Sequence, residues 1–177
     1  GLGPFLLGEI GRWPRKGPFI AGALLASLSA SVLVALVYLL IAGQASVDLG
    51  AIIGSFQADT LFVLGCALTG LTLVLDQAFV GLLRSGYQLL RNVLFASGKL
   101  LLLVALGLTL GTQTSEASIY ATWVAGQALS LVVIGLLLLK SGRRIFQRPD
   151  LGALRPVLGH ILGHHALSIA VQAPGLI

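Results

Sequence analysis

The sequence predicts an all-α, polytopic membrane helix bundle. Hydrophobic residues make up 56% of the 177 residues and charged residues only 10%, whereas about a quarter of the residues in a soluble globular domain are charged. The apolar residues gather into segments long enough to cross a bilayer, which requires about 20 residues. The basic residues lie in the connections between these segments. The net charge of +5 therefore indicates membrane topology rather than binding to nucleic acid.

Five apolar segments follow one another along the chain. The first is longer than the apolar core of a signal peptide, which has about 7 to 15 residues, so we expect it to stay as a span. The fifth is cut off where the sequence ends. We therefore expect a fragment of a longer protein, with 1–156 in a first helical bundle and 157–177 at the start of a second. The predicted spans are 19–42, 60–83, 89–110, 118–139 and the incomplete 157–177.

Lys and Arg are concentrated on one side of the predicted bundle. The connections 1–18, 84–91 and 140–156 hold ten of the eleven basic residues, and the two connections between them hold none. Cytoplasmic loops carry the excess of basic residues in membrane proteins. We therefore predict that these three connections face the cytoplasm.

The second and third spans form a hairpin, because RSGYQ at 84–88 is long enough only for a tight turn. Each arm carries a charge into apolar surroundings, Asp76 in one and Lys99 in the other. A charge at the centre of a span costs at least about 2.5 kcal/mol on insertion scales, so such residues face a partner or a water-filled cavity. With the turn centred near Gly86, Asp76 lies opposite Ala96 and within about one helical turn of Lys99. An Asp76–Lys99 ion pair and a cavity-facing Lys99 both stay open.

The third span carries a polar face at helical spacing. Gln88, Asn92, Phe95 and Lys99 fall at i, i+4, i+7 and i+11, and Arg91 lies beside them, whereas Leu and Val cover the opposite face. We predict a polar cavity along this face. Its candidate binding residues are Lys99, Arg91, Asp76, Gln88 and Asn92.

Weaker polar stripes mark the first and fifth spans. Ser27, Ser31 and Tyr38 form one stripe on the first span and indicate tight helix packing, which in membranes favours small and hydroxylated residues. On the fifth span, His160 and His164 are four residues apart, but no HExxH pattern or carboxylate pair accompanies them. We therefore predict no metal and no cofactor. Secondary candidates for the cavity are Arg84, His164 and Gln172.

The hairpin sequence LDQAFVGLLRSGYQLLRNVLFASGKL resembles the Wzx-like polysaccharide flippases, which belong to the multidrug/oligosaccharidyl-lipid/polysaccharide superfamily and have a MATE-like fold. The final segment HHALSIAVQAPGLI looks like the opening of that family's second bundle. The residues that carry the hairpin resemblance are Asp76, Gln77, Gly81, Leu82, Leu83, Arg84, Gln88, Arg91, Asn92 and Lys99.

The resemblance implies a transporter of the bacterial inner membrane and not an enzyme. Its substrate would be an undecaprenyl-pyrophosphate-linked oligosaccharide, moved across the bilayer by alternating access between two bundles, with H⁺ or Na⁺ as the candidate coupling ion. By the same resemblance, Arg91 and Lys99 suit the pyrophosphate, and Asp76 suits charge balance or the coupling ion.

Other functions stay open at this point. A multidrug or cation antiporter of the same fold would call for acidic residues at membrane depth beyond Asp76. A membrane polymerase or ligase of lipid-linked sugars would be expected to carry large periplasmic loops with catalytic groups, whereas the connections 43–59 and 111–117 are short. A passive membrane anchor leaves Lys99 unexplained.

Overall fold

Four long helices make up the part of the chain that the computed structural model describes, which is residues 16–44, 55–111 and 114–141 with the isolated residues 10, 148, 149, 152 and 159. These ranges contain no strand. Each helix is long and apolar enough to cross a membrane, so the prediction of an all-helical fold with membrane-length apolar helices is confirmed for this part of the chain. The helices are α1 (Lys16–Gln44), α2 (Phe56–Gly81), α3 (Ser85–Leu110) and α4 (Glu116–Lys140).

Several predictions fall outside these ranges. The fifth span at 157–177, and with it His160, His164 and Gln172, lies outside the described residues. So do most of the basic connections 1–18 and 140–156. The fifth helix and the division into two bundles therefore stay predictions.

The helices α2 and α4 begin two to four residues before the predicted spans at 60 and 118. Ser55 caps α2 by accepting a hydrogen bond from the backbone N–H of Ala58 at 3.2 Å. Ser115 caps α4 in the same way. The sequence prediction placed Asp59 and Glu116 in the connections 43–59 and 111–117. Both instead lie in first helical turns, where the helix dipole stabilises a negative charge.

The turn between α2 and α3 is not where the sequence placed it. Leu83 has a φ of 56° and occupies the left-handed position that usually holds Gly at the end of a helix. Its N–H donates to the carbonyl of Val80, and the N–H of Arg84 donates to the carbonyl of Phe79. These two bonds form a Schellman motif. The turn is therefore Leu82 to Arg84, and the prediction of a turn centred on Gly86, which lies inside α3, is wrong.

The helices pack as two pairs. The most extensive interfaces are α1 with α2 and α3 with α4, and the pairs are joined mainly through α2 and α4. At the first interface, Ser27 donates to the carbonyl of Gly70 at 2.9 Å, and the Ser31 hydroxyl fills the space that a Cβ on Gly70 would need. The interpretation of the stripe as tight helix packing is confirmed for Ser27 and Ser31, whereas Tyr38 is 43% exposed, with its ring 5.4 Å from that of Phe62 on α2.

A hydrophobic core joins α1, α2 and α4 near the end of the bundle that holds the α2–α3 turn. Its largest fully buried side chains include Phe19, Phe79, Ile134 and Leu138. The ring of Tyr87, in the first turn of α3, stacks on Phe79 at 5.7 Å. This core fixes the start of α3 against the end of α2.

Candidate functional site: charges within the α2–α3 hairpin

An ion pair between Asp76 and Arg91 joins the two arms of the hairpin. The Arg91 Nε donates to Asp76 Oδ1 at 2.7 Å, and its Nη2 donates to Asp76 Oδ2 at 2.6 Å. The Asp76 side chain is 14% exposed and that of Arg91 is 6% exposed. This two-pronged geometry is the strongest form of arginine–carboxylate contact.

The position of the turn explains this pairing. With Leu83 at its centre, the residue as far from the turn as Asp76 is residue 90, which is next to Arg91. The two charges lie about 8 and 9 Å inside their helices, counted from Gly81 and Ser85. Among the described residues, the ionic partner of Asp76 is therefore Arg91 and not Lys99.

Asn92 completes the charged cluster, because its Oδ1 accepts a further hydrogen bond from Arg91 Nη2 at 2.5 Å. Gln88 and Arg84 are half-buried closer to the turn, and Asn92 itself is exposed. Arg91 is thus the buried member of the predicted polar face. The guanidinium of Arg91 is buried and donates three hydrogen bonds from Nε and Nη2, whereas the neighbouring polar residues of α3 are half-buried or exposed.

Lys99 lies apart from this cluster, near the middle of α3. It is 14 residues from Ser85 and 11 from Leu110, which corresponds to about 21 and 16 Å along the helix axis. Lys99 is half-buried. Among the described residues, its ammonium group makes no ion pair and no hydrogen bond.

The backbone of Lys99 is held by close packing of α3 on α4. A Cβ on Gly126 of α4 would lie 3.2 Å from the backbone nitrogen of Lys99 and 3.3 Å from its Cβ. A Cβ on Gly98 would lie 3.3 Å from Leu129. Because Gly126 has no side chain, α4 approaches α3 at the level of the unpaired cation.

Buried polar residues of α4 were missed by the sequence analysis. Gln127 is 5% exposed, and its Oε1 has no hydrogen-bond partner among the described residues. The Oε1 of Gln77 on α2 is likewise buried without a partner. Gln77 already belonged to the hairpin motif, and Gln127 is recognisable in the sequence as an uncharged polar residue within an apolar span. The buried polar residues of α4 are Thr122, Gln127 and Ser130.

Aromatic rings connect α3 with a cavity on the other side of α4. The ring of Trp123 meets Phe95 edge-on at 6.2 Å and stacks on Tyr120 at 5.5 Å. Trp123 and Tyr120 also line an open cavity of about 520 Å³ between α1, α2 and α4. Lys99 is not part of its lining. Its other lining residues are Ala30, Ser31, Val34, Gly65, Cys66, Thr69, Gly70 and Leu73.

Comparisons of the chain with protein-family models, curated proteins and solved structures find no match. The charged residues of the hairpin present one carboxylate that an arginine neutralises and one lysine whose charge no described residue compensates. Such an arrangement is suited to binding an anion within the membrane.

Proposed function

We propose that this chain belongs to a membrane transporter that moves a lipid-linked oligosaccharide, carried on undecaprenyl pyrophosphate, across the bacterial inner membrane by alternating access. The resemblance of the hairpin sequence to Wzx-like flippases with a MATE-like fold supports this proposal. The four membrane-length helices are compatible with it. No covalent chemistry is assigned to the chain.

The single observation that carries the proposal is the unpaired ammonium of Lys99 near the middle of α3. A lysine at the centre of a membrane helix costs at least about 2.5 kcal/mol on insertion scales. A functional requirement for a cation at this depth explains why a lysine is present despite this unfavourable free energy. The pyrophosphate of a lipid carrier is an anion that must cross the apolar layer, and a lysine at that depth offsets its loss of hydration.

In this proposal, Asp76 and Arg91 hold the hairpin in position and do not bind the pyrophosphate. Arg91 already donates three hydrogen bonds, two to Asp76 and one to Asn92. Breaking them to bind substrate would leave a buried carboxylate without a counter-charge. The resemblance implied that both Arg91 and Lys99 bind the pyrophosphate. We therefore assign this binding to Lys99 alone.

The Asp76–Arg91 pair also weakens the case for a multidrug or cation antiporter. A binding site for organic cations needs an unneutralised carboxylate at membrane depth. Asp76 is ion-paired, and Asp59 and Glu116 lie in the first turns of their helices. Within the described ranges, the uncompensated charge in the middle of a span is positive.

The proposal also assigns the orientation of the bundle, with the turn Leu82 to Arg84 on the cytoplasmic side. Single cysteines at Glu116 and Ser141, at opposite ends of α4, test this assignment in a background in which Cys66, the one native cysteine, is replaced by Ala. A membrane-impermeant thiol reagent added to intact cells should label Glu116→Cys and spare Ser141→Cys. Labelling of Ser141→Cys alone would reverse the orientation.

Loss of the protein in its native host tests the function. Cells that lack it should accumulate the undecaprenyl-linked saccharide on the inner leaflet and lose surface polysaccharide. The full-length wild-type gene should restore both, and Lys99→Gln should not, although it reaches the membrane at the wild-type level. Lys140→Gln, which removes an exposed lysine at the end of α4, is the matched control and should restore export. Normal surface polysaccharide in the deletion strain would contradict the proposal.

A further inference from the structure

We propose that Gln127 is a positioning residue for Lys99. Its side-chain amide oxygen accepts a hydrogen bond from the Lys99 ammonium while no anion is bound, and releases the ammonium when an anion arrives. The identity of that anion rests on the proposed function. The contact between the two side chains does not.

Gln127 supplies an acceptor that lacks a donor. The residue is 5% exposed, and its Oε1 is buried without a hydrogen-bond partner among the described residues. The nearest hydroxyls along α4 are already committed, because Ser130 donates to the backbone carbonyl of Gln127 at 2.8 Å and Thr122 donates to that of Ile119 at 2.7 Å. An unpaired carbonyl in an apolar interior is unfavourable and requires an explanation.

Lys99 supplies a donor that lacks an acceptor. Its ammonium carries three N–H groups, and no residue in the described ranges accepts from them. The backbone of Lys99 packs against Gly126, the residue directly before Gln127. The flexible four-carbon stem of a lysine lets the ammonium move around such a contact. The unpaired donor thus belongs to a residue that packs against Gly126, and the unpaired acceptor belongs to the residue that follows Gly126.

The angular positions of residues around the two helices place Lys99 and Gln127 on the same side of the contact between α3 and α4. Around α3, the order of residues across this contact is Gly98, Phe95 and Lys99, since successive residues are about 100° apart in a helix. Opposite them, α4 presents Leu129, Gly126 and Trp123, as the contacts of Gly98 with Leu129 and of Phe95 with Trp123 show.

Lys99 therefore lies toward the Trp123 side of the Gly126 contact. Gln127 follows Trp123 by four residues and so lies about 40° further around α4 in the same direction. A change of the Lys99 rotamer toward Trp123 therefore moves its ammonium toward the side of α4 that carries Gln127. A change of the Lys99 rotamer in the opposite direction would move the ammonium toward Gly98 and Leu129.

A neutral acceptor suits a lysine that must exchange partners. An amide oxygen holds the ammonium by one hydrogen bond and leaves its charge uncompensated, so an arriving anion competes successfully for it. A carboxylate at the same position would form a buried ion pair and retain the ammonium. The exchange of partners by Lys99 therefore requires Gln, and not Glu, at position 127.

Gln77 provides a matched control. It also has a buried, unpartnered Oε1, but it follows Asp76, whose partner Arg91 is eight residues, or about 12 Å, from Lys99 along α3. Substitutions of Gln77 therefore test the general effect of altering a buried amide. They should leave the environment of Lys99 unchanged.

Solid-state NMR on the full-length protein in lipid bilayers tests the contact directly. With ¹⁵N in the lysine side chains and ¹³C at the glutamine Cδ, the Lys99 Nζ should show dipolar coupling to Gln127 Cδ at about 4 Å. The coupling should disappear in Gln127→Leu, persist in Gln77→Leu and decrease when farnesyl pyrophosphate is added. Absence of the coupling in the wild-type protein without ligand would overturn the inference, and so would its persistence in Gln127→Leu.

A binding measurement separates this inference from the proposed function. Farnesyl pyrophosphate should bind Gln127→Glu about tenfold more weakly than wild type, because the new carboxylate retains Lys99. Gln77→Glu should bind as wild type does. If the dipolar coupling is present but wild type does not bind the pyrophosphate, the proposed function fails and the Gln127 inference stands. If wild type binds it through Lys99 but Gln127→Glu binds equally well, the Gln127 inference fails and the proposed function stands.

Discussion

Arg91 reaches across the α2–α3 turn and binds both carboxylate oxygens of Asp76, at 2.7 and 2.6 Å. This pair couples two helices that otherwise make the smallest of the main interfaces in the described bundle. The interface of α3 with α4 is more extensive than its interface with α2. The hairpin is thus closed at the turn by a buried ion pair, and Lys99 lies further along α3 without one.

Removing one member of the Asp76–Arg91 pair should destabilise the hairpin. Asp76→Asn leaves a buried guanidinium without a counter-charge, which we expect to lower the free energy of unfolding by about 3 kcal/mol. Asp76→Leu combined with Arg91→Leu removes both charges. The double variant should lose less stability than the sum of the losses of Asp76→Leu alone and Arg91→Leu alone. Unfolding of the purified protein in mixed micelles measures each value. Glu116→Gln, at the exposed start of α4, is the control, and additive losses in the double variant would contradict the coupling.

Gly126 should be intolerant of even a methyl group. An Ala Cβ there would meet backbone atoms at 3.2 and 3.3 Å, the Lys99 nitrogen and the Phe95 carbonyl oxygen, so α3 and α4 must separate slightly. We expect Gly126→Ala to lower the free energy of unfolding by about 1 to 3 kcal/mol.

Gly135→Ala, on the same helix, is the matched control for Gly126→Ala. Nothing lies within 4 Å of a Cβ at Gly135, so this change should be neutral or slightly stabilising. The same unfolding experiment compares the two variants. Equal stability of both would show that the close α3–α4 contact at Lys99 is absent.

The position of the turn can be tested by exchanging Gly and non-Gly residues. Leu83 has a φ of 56° and is 93% exposed, so Leu83→Gly should stabilise the protein by about 0.5 to 1 kcal/mol by relieving backbone strain. Gly86→Ala should also stabilise by about 0.5 to 1 kcal/mol, because Gly86 lies inside α3 with open space around it. A turn centred on Gly86 predicts the opposite result for Gly86→Ala. Thermal unfolding of the two variants decides between the two positions.

The sequence was sufficient to predict the class of protein and the four described spans, because both follow from the length of the apolar segments. It also placed Lys99 near the middle of a span and attributed Ser27 and Ser31 to helix packing. These are properties of one helix at a time. They follow from periodicity and composition without knowledge of the neighbouring helices.

The partner of Asp76 was not predictable in the same way. The glycine in RSGYQ indicated a turn at Gly86, whereas the chain turns at Leu83, a residue type that rarely adopts a positive φ. A shift of three residues in the turn changes the residue opposite Asp76 by six. Arg91 therefore took the place expected for Lys99. Gln127 was overlooked for another reason, since the predicted site residues followed from charges and polar stripes, whereas Gln127 is a single uncharged polar residue in an apolar span.

The most direct test of the central claim is transport by Lys99 variants in proteoliposomes. The full-length protein should move undecaprenyl-pyrophosphate-linked saccharide between leaflets, Lys99→Arg should retain part of this rate, and Lys99→Gln should lose at least about 90% of it, because only the first two supply a cation to the pyrophosphate. Reconstitution levels and orientation must match between variants. Transport by Lys99→Gln at the wild-type rate would contradict the account.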